Sequence, residues 1–317
     1  MIRLLCHSKL NKTSPCFWGF LLLPLFGFAQ LTSIESEEGI LIKEDSINVL
    51  FYQKQAKSIA GEFARNNYVH PLYGIDGSVL TEDFPKDHLH HRGVFWAWHQ
   101  VQIGKTPIGD SWECRDFSWN LKDVSISESG KNLKLTLATH WESPLWLNQE
   151  GNQKPFLLEN TTIFVSPKKG NYRIISFEIS LLALEKDLRI GGSDDDKGYG
   201  GFSVRMKLPA QVRFTSSKGK VEPEINAVAA GKWINTFGLL AGGEHNSGIV
   251  IISHQTNPKD KENWILREKE SMQNCVYPGR NAVPVSTTDP TILKYSLIVY
   301  EGTMTGEDIQ TIYKELK

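Results

Sequence analysis

The chain is short of several things that would define its class at once. It has four cysteines in 317 residues, and none forms a C-x-x-C pair, so a dithiol redox motif and a four-thiol zinc site are out. It has no excess of positive charge, with 35 basic side chains against 36 acidic ones. With no basic stripe to neutralise phosphates, no nucleic-acid partner is expected. It has no long hydrophobic run. The stretch from Phe17 to Phe28 is broken by Pro24 and falls short of the roughly 20 apolar residues of a membrane span. There is also no internal repeat and no Pro/Ser-rich linker, which favours one large domain over two.

What the N-terminus does have is the layout of a signal peptide. Arg3, Lys9 and Lys12 precede the apolar stretch, and Gly27-Phe28-Ala29 ends it on a small residue, as cleavage requires. Residues 1–29 are therefore expected to be removed, leaving 30–317 as a single domain in the periplasm or outside the cell. No stable membrane insertion is expected after cleavage; a retained N-terminal anchor is the alternative. Cys16 lies before the apolar stretch rather than after it, which argues against a lipoprotein anchor. Cys114 and Cys275 would remain. They either pair in an oxidising compartment or stay as two thiols, and their spacing does not decide between these.

The body alternates with period two. Leu133, Leu135 and Leu137 share one face of a strand, and Ile175, Phe177, Ile179 and Leu181 share a face of another. Ile40–Phe51, Phe156–Val165, Gly201–Leu208, Trp233–Leu240, Gly248–Ser253 and Ile292–Tyr300 read likewise, separated by turn residues such as Ser129-Gly130-Lys131-Asn132. Only the C-terminus reads as helix. Thr305 can cap it, Glu307 and Asp308 suit its first turn, and Ile309, Ile312, Tyr313 and Leu316 form a stripe. The expected fold is all-β: a large antiparallel β-sandwich with a short C-terminal helix.

Chemistry concentrates early. Five of the nine histidines, His70, His88, His90, His91 and His99, fall within one thirty-residue stretch. Such groups are costly to bury unless paired, so their clustering points to a polar hollow. If 87–92 is extended, His88, His90 and Arg92 share one face and His91 the other. That trio can move a proton and hold an anion or a sugar hydroxyl. Glu82, Asp83 or Asp87 could fix an imidazole tautomer, and a surface loop with local ion pairs is the plainer alternative. His88 and His90 also have a metal-ligand spacing. However, Arg92-Gly93-Val94-Phe95 supplies no following carboxylate, so no metal or other cofactor is expected, with a divalent ion as the lesser option.

Val94, Trp96 and Trp98 alternate with Phe95, Ala97 and His99, so one set of rings should fill the core. Trp112 and Trp146, flanked by turn residues, are the better candidates for stacking on a sugar. The Gly191–Gly201 segment carries Asp194-Asp195-Asp196. It reads as a solvated loop, calcium being the alternative, although EF-hand spacing is absent. His254 ends a strand, either joining the histidine cluster as a second acid/base group or standing alone.

The run Asp83-Phe84-Pro85 through Asp87-His88-Leu89-His90-His91-Arg92-Gly93, with the later Asp110-Ser111-Trp112, resembles a secreted bacterial family labelled PmoA-like or DUF6807. That family usually has proline where Leu89 stands. Gly198-Tyr199-Gly200-Gly201, Trp233 before Gly238, and His254 to Asn257-Pro258 followed by Trp264 and Arg267 extend the match. The resemblance implies an architecture similar to galactose-mutarotase-like supersandwiches, whose sugar grooves are lined by His, Arg, Glu and Trp. The methane-oxygenase label does not suit a chain with one short apolar stretch.

The expected function is a carbohydrate-active enzyme of glycoside hydrolase, lyase or epimerase type. It would act on a small-molecule or oligosaccharide substrate, a glycan fragment or modified sugar. The candidate catalytic residues are His88, His90, His91, Arg92, Glu82, Asp83 and His254. The candidate substrate contacts are His70, His99, Trp112, Trp146, Tyr199, Trp264 and Arg267. A non-catalytic sugar-binding protein and a metal-dependent enzyme are the alternatives.

Overall fold

The computed structural model describes residues 30–258 and 262–316. The expected signal peptide, residues 1–29, lies outside them. Among the described residues, two nine-stranded antiparallel sheets dominate. The first runs, edge to edge, through Leu31–Glu35, Gly39–Glu44, Ile47–Gln53, Tyr68–Leu72, Val94–Trp98, Gly200–Val204, Gln273–Val276, Asn263–Ile265 and Val228–Ala229. The second runs through Ser118–Ser129, Asn132–Glu142, Leu157–Val165, Tyr172–Ala183, Thr291–Glu301, Ser247–Ser253, Trp233–Gly238, Arg213–Ser216 and Gly219–Val221. The fold is thus the all-β sandwich with one short C-terminal helix that the alternation predicts.

Period-two patterning explains the layers. In Val94–Trp98 every residue is buried, but the two faces go to different places. Val94, Trp96 and Trp98 enter the core between the sheets, whereas Phe95 and Ala97 join a separate cluster with Tyr68, Trp112 and Met272 on the outward face. The predicted Ile40–Phe51 strand is two strands, Gly39–Glu44 and Ile47–Gln53, paired as a hairpin around Asp45 in the left-handed region. Strands predicted to run on to Leu208 and Leu240 stop at Val204 and Gly238.

A carboxylate is buried deep between the sheets. Glu159 is fully buried and accepts bonds from the indole N–H groups of Trp96 and Trp141, both at 2.9 Å, from Asn67 Nδ2 at 2.9 Å and from Thr161 Oγ1 at 2.7 Å. Four donors from both sheets offset the desolvation that a buried carboxylate suffers. The helix Gly306–Glu315 begins at a capping box formed by Thr305 and Asp308. It lays Ile309, Ile312 and Tyr313 on the far side of the second sheet, against Trp233, Val250, Ile252 and Ile298. Cys114 and Cys275 do not pair.

Candidate functional site

The histidine segment is not extended. The His88 N–H donates to the Pro85 carbonyl at 3.1 Å, and the His91 N–H donates to the His88 carbonyl at 2.9 Å. Two successive turns replace a strand, and the one-face-each parity is lost. His88 and His91 stack with ring centroids 4.6 Å apart and planes within 7°. His90 stands edge-on to His91 at 4.5 Å. All three imidazoles converge, so His91 joins the group that parity had separated it from.

Arg92 leaves it. Its side chain is fully buried, its guanidinium donates to the carbonyls of Leu89 and Phe63, and it stacks on Phe84 at 3.5 Å. It braces the turns from beneath, which corrects the expectation that it shares one open face with His88 and His90. Gly93 follows because the chain there presses against the neighbouring strand: a Cβ at 93 would fall 2.2 Å from the Val69 carbonyl oxygen.

The carboxylates sort differently as well. Glu82 pairs with Arg205 Nε at 2.8 Å. Asp83 accepts from the Tyr68 hydroxyl at 3.1 Å and sits 3.5 Å from Arg92 Nε. Both are tied to cations or a phenol rather than to an imidazole. The carboxylates that touch histidines are Asp87, Asp110 and Glu113. Asp87 Oδ2 lies 2.6 Å from His88 Nδ1. Although burial opposes it, bonding from Arg205 and His88 holds the Asp87 carboxyl down at about 2. Asp110 places its Oδ2 3.0 Å from His99 Nδ1, while its Oδ1 accepts from the backbone N–H of Trp112 and of Glu113. That last bond aims Glu113 at His90, with Oε2 3.3 Å from Nδ1.

Electrostatics separate this pair. Burial, reinforced by neighbouring His88, pushes the His90 imidazole down to about 4. Burial lifts the Glu113 carboxyl above its ordinary range against the pull of His99. Burial with His90 alongside keeps His91 neutral too. An imidazole shifted toward its neutral form and a carboxyl with a strengthened hold on its proton set a proton acceptor beside a proton donor.

An aromatic band continues from the histidines. His99 stacks on Trp112 at 5.3 Å, Trp112 meets Tyr199 at 5.7 Å, and the Tyr199 hydroxyl accepts from Arg267 Nη2 at 2.7 Å. His99, Tyr199 and Arg267 thus lie along one band that leads away from the histidine turns. Trp112 is there too, but it is only 2% exposed; it backs the histidines and offers no open face for stacking.

The remaining candidates are held by partners of their own. Trp264 is fully buried in the inter-sheet core and donates to the Gly231 carbonyl. Trp146 packs against that same core. His254 follows a strand of the second sheet and lies 3.0 Å from Ser296 Oγ. His70 is engaged with Thr81 Oγ1 at 3.0 Å. Among the described residues, no three His, Cys, Asp or Glu side chains are arranged to hold a metal ion, so the His88/His90 spacing does not grow into a ligand set.

Sequence reasoning missed Glu113 and Arg205. Glu113 adjoins the quoted Asp110-Ser111-Trp112, and an aspartate two to three residues before a candidate side chain is the signal for a turn that aims it. Arg205 has no local signal.

Fold and site together define an all-β sandwich protein with a histidine-rich, carboxylate-flanked cluster on the outward face of one sheet. The chain belongs to the family of unknown function DUF6807, which it matches over residues 40–314. No curated protein matches it. No helix among the described residues is long and apolar enough to cross a membrane.

Proposed function

We propose that this chain is a periplasmic or secreted carbohydrate-active enzyme that transfers protons through the His90–Glu113 pair. Glycosidic-bond cleavage is the first reading and ring isomerisation the second. The single observation behind it is the 3.3 Å contact between His90 and Glu113, two groups whose surroundings shift their proton affinities in opposite senses. Glu113 supplies the proton to a leaving oxygen, and His90 accepts one from the attacking water or a ring carbon. His88 and His99, each fixed by an aspartate, orient hydroxyls. Arg267 and Tyr199 close one end. The resemblance to mutarotase-like supersandwiches agrees with this, as an analogy of fold alone.

The test is incubation of the mature protein with neutral and acidic oligosaccharides, with products followed by mass spectrometry. Turnover that vanishes in His90→Ala and Glu113→Gln, with circular dichroism unchanged, supports the proposal. Saccharide binding without product from the parent protein replaces it with a sugar-binding protein. Activity abolished by a chelator and restored by a divalent ion replaces it with a metal-dependent enzyme.

A further inference from the structure

Two cavities flank the histidine band, and the strand pattern puts both on one face. In Gly200–Val204, Phe202 and Val204 point into the inter-sheet core, so Gly201, Ser203 and the following Arg205 point outward. Cys275 and Trp264 are core residues of the adjoining strands, which turns Val276 and Asn263 outward. One cavity, of about 570 Å³, is bounded by Asp87, Arg205, Phe84 and Lys269. The other, of about 470 Å³, is bounded by Lys197, Asn263, Val276 and Asn281. Gly198 borders the second and Arg205 the first. Seven residues at about 3.3 Å each separate them by at most about 23 Å.

The aromatic band lies between. Phe95 and Ala97 pair with Ser203 and Gly201 in the middle of that strand, and Phe95 carries both His91, at 6.0 Å, and Trp112, at 5.4 Å. Each cavity is in the usual size range of a ligand pocket and touches the band through its own residue. Asp87 holds His88 at one end, and Lys197 sits 5.8 Å over the Tyr199 ring at the other.

We infer that the substrate is an uncharged oligosaccharide chain running from one cavity to the other past the partly exposed His88, Glu113, His99 and Tyr199, with sugar units in both cavities and the bond to be attacked beside His90. The inference rests on the carbohydrate reading above and adds to it the length and charge of the substrate. Charge is argued from the linings: four carboxylates against three cations in one cavity, two against two in the other. Neither offers a net positive field to a polyanion, whereas carboxylates and amides accept and donate to hydroxyls.

The experiment measures kcat/KM and Kd of the mature chain on cello-, xylo- and malto-oligosaccharide ladders of two to six units, with oligogalacturonates as the charged counterpart. On at least one neutral ladder, kcat/KM is expected to rise about tenfold or more from the shortest to the longest member. Asn281→Ala and Lys269→Ala, one in each cavity, should each flatten that rise. A length-independent kcat/KM overturns the inference and leaves the carbohydrate reading standing. Preference for oligogalacturonates overturns the uncharged assignment. No binding to any ladder overturns both the inference and the reading beneath it.

Discussion

Asp87 grips Arg205 with two parallel hydrogen bonds of 2.7 Å, one from each terminal nitrogen of the guanidinium. A loop 118 residues away in sequence is thereby locked to the end of a central strand. The same guanidinium holds Glu82 and approaches His91 Nδ1 at 3.4 Å. The position of the histidine turns is therefore set by one cation that is only 3% exposed.

Breaking that pair should unfasten the site. Arg205→Ala leaves Asp87 and Glu82 without their partner and is expected to cost about 3 kcal/mol, as losing one member of a largely buried pair does. Asp87→Asn, which keeps one acceptor, should cost clearly less. Urea denaturation of the three proteins reads both differences.

Arg92 is expected to behave as a brace. Arg92→Ala should lower the melting temperature markedly, because three backbone carbonyls lose their donor and Phe84 loses its stacked cation. Where folded protein remains, its saccharide Kd should stay near that of the parent. A large loss of affinity at unchanged melting temperature would place the guanidinium in the binding site after all.

The activity should follow a bell whose acid limb lies near pH 4. His90 accepts a proton only when neutral, so the acid limb falls as pH drops through about 4. Glu113 donates only while protonated, and its raised affinity for the proton puts the alkaline limb above the ordinary carboxylate range. Both limbs belong to the coupled pair. Glu113→Gln should remove the alkaline limb and cut kcat by roughly 10²–10⁴. A pH profile of kcat/KM for both proteins checks this.

Acid should destabilise the fold before it protonates most carboxylates. His70 and His90 are each held down to about 4 by burial, against about 6.5 in an unfolded chain. Between those values the unfolded state binds more protons than the folded one, so stability rises with pH across this window and is lost as pH falls toward 4. Thermal melts at half-unit steps from pH 7 to 4 should show a continuous decline, lessened in His70→Gln.

Glu159 should be the most sensitive position in the core. Glu159→Ala strips the acceptor from two indoles, an amide and a hydroxyl, and is expected to cost on the order of 3 kcal/mol or more. Glu159→Gln keeps one oxygen but turns an amide N–H₂ toward an indole N–H, so it should also destabilise. Urea denaturation of both variants, followed by circular dichroism, reads the two losses.

Sequence alone determined the long strands Asn132–Glu142 and Tyr172–Ala183, because alternation along Leu133–Leu137 and Ile175–Leu181 is a local property that burial of one sheet face enforces. It determined the helix cap at Thr305, the core role of Trp96 and Trp98, and the gathering of chemistry between His88 and Trp112, since all of these depend on near neighbours. Tertiary structure decided which groups join the histidine cluster. Period-two parity failed between 85 and 91, where hydrogen-bonded turns replaced the ladder, and Arg92 went inward because Phe63 and Phe84 offered it a carbonyl and a ring. Glu113 became the partner of His90 through a turn held by Asp110, and Arg205 arrived from over a hundred residues away. The direction of Arg92 and the arrival of Arg205 are set by partners distant in the chain, and no local pattern carries their positions.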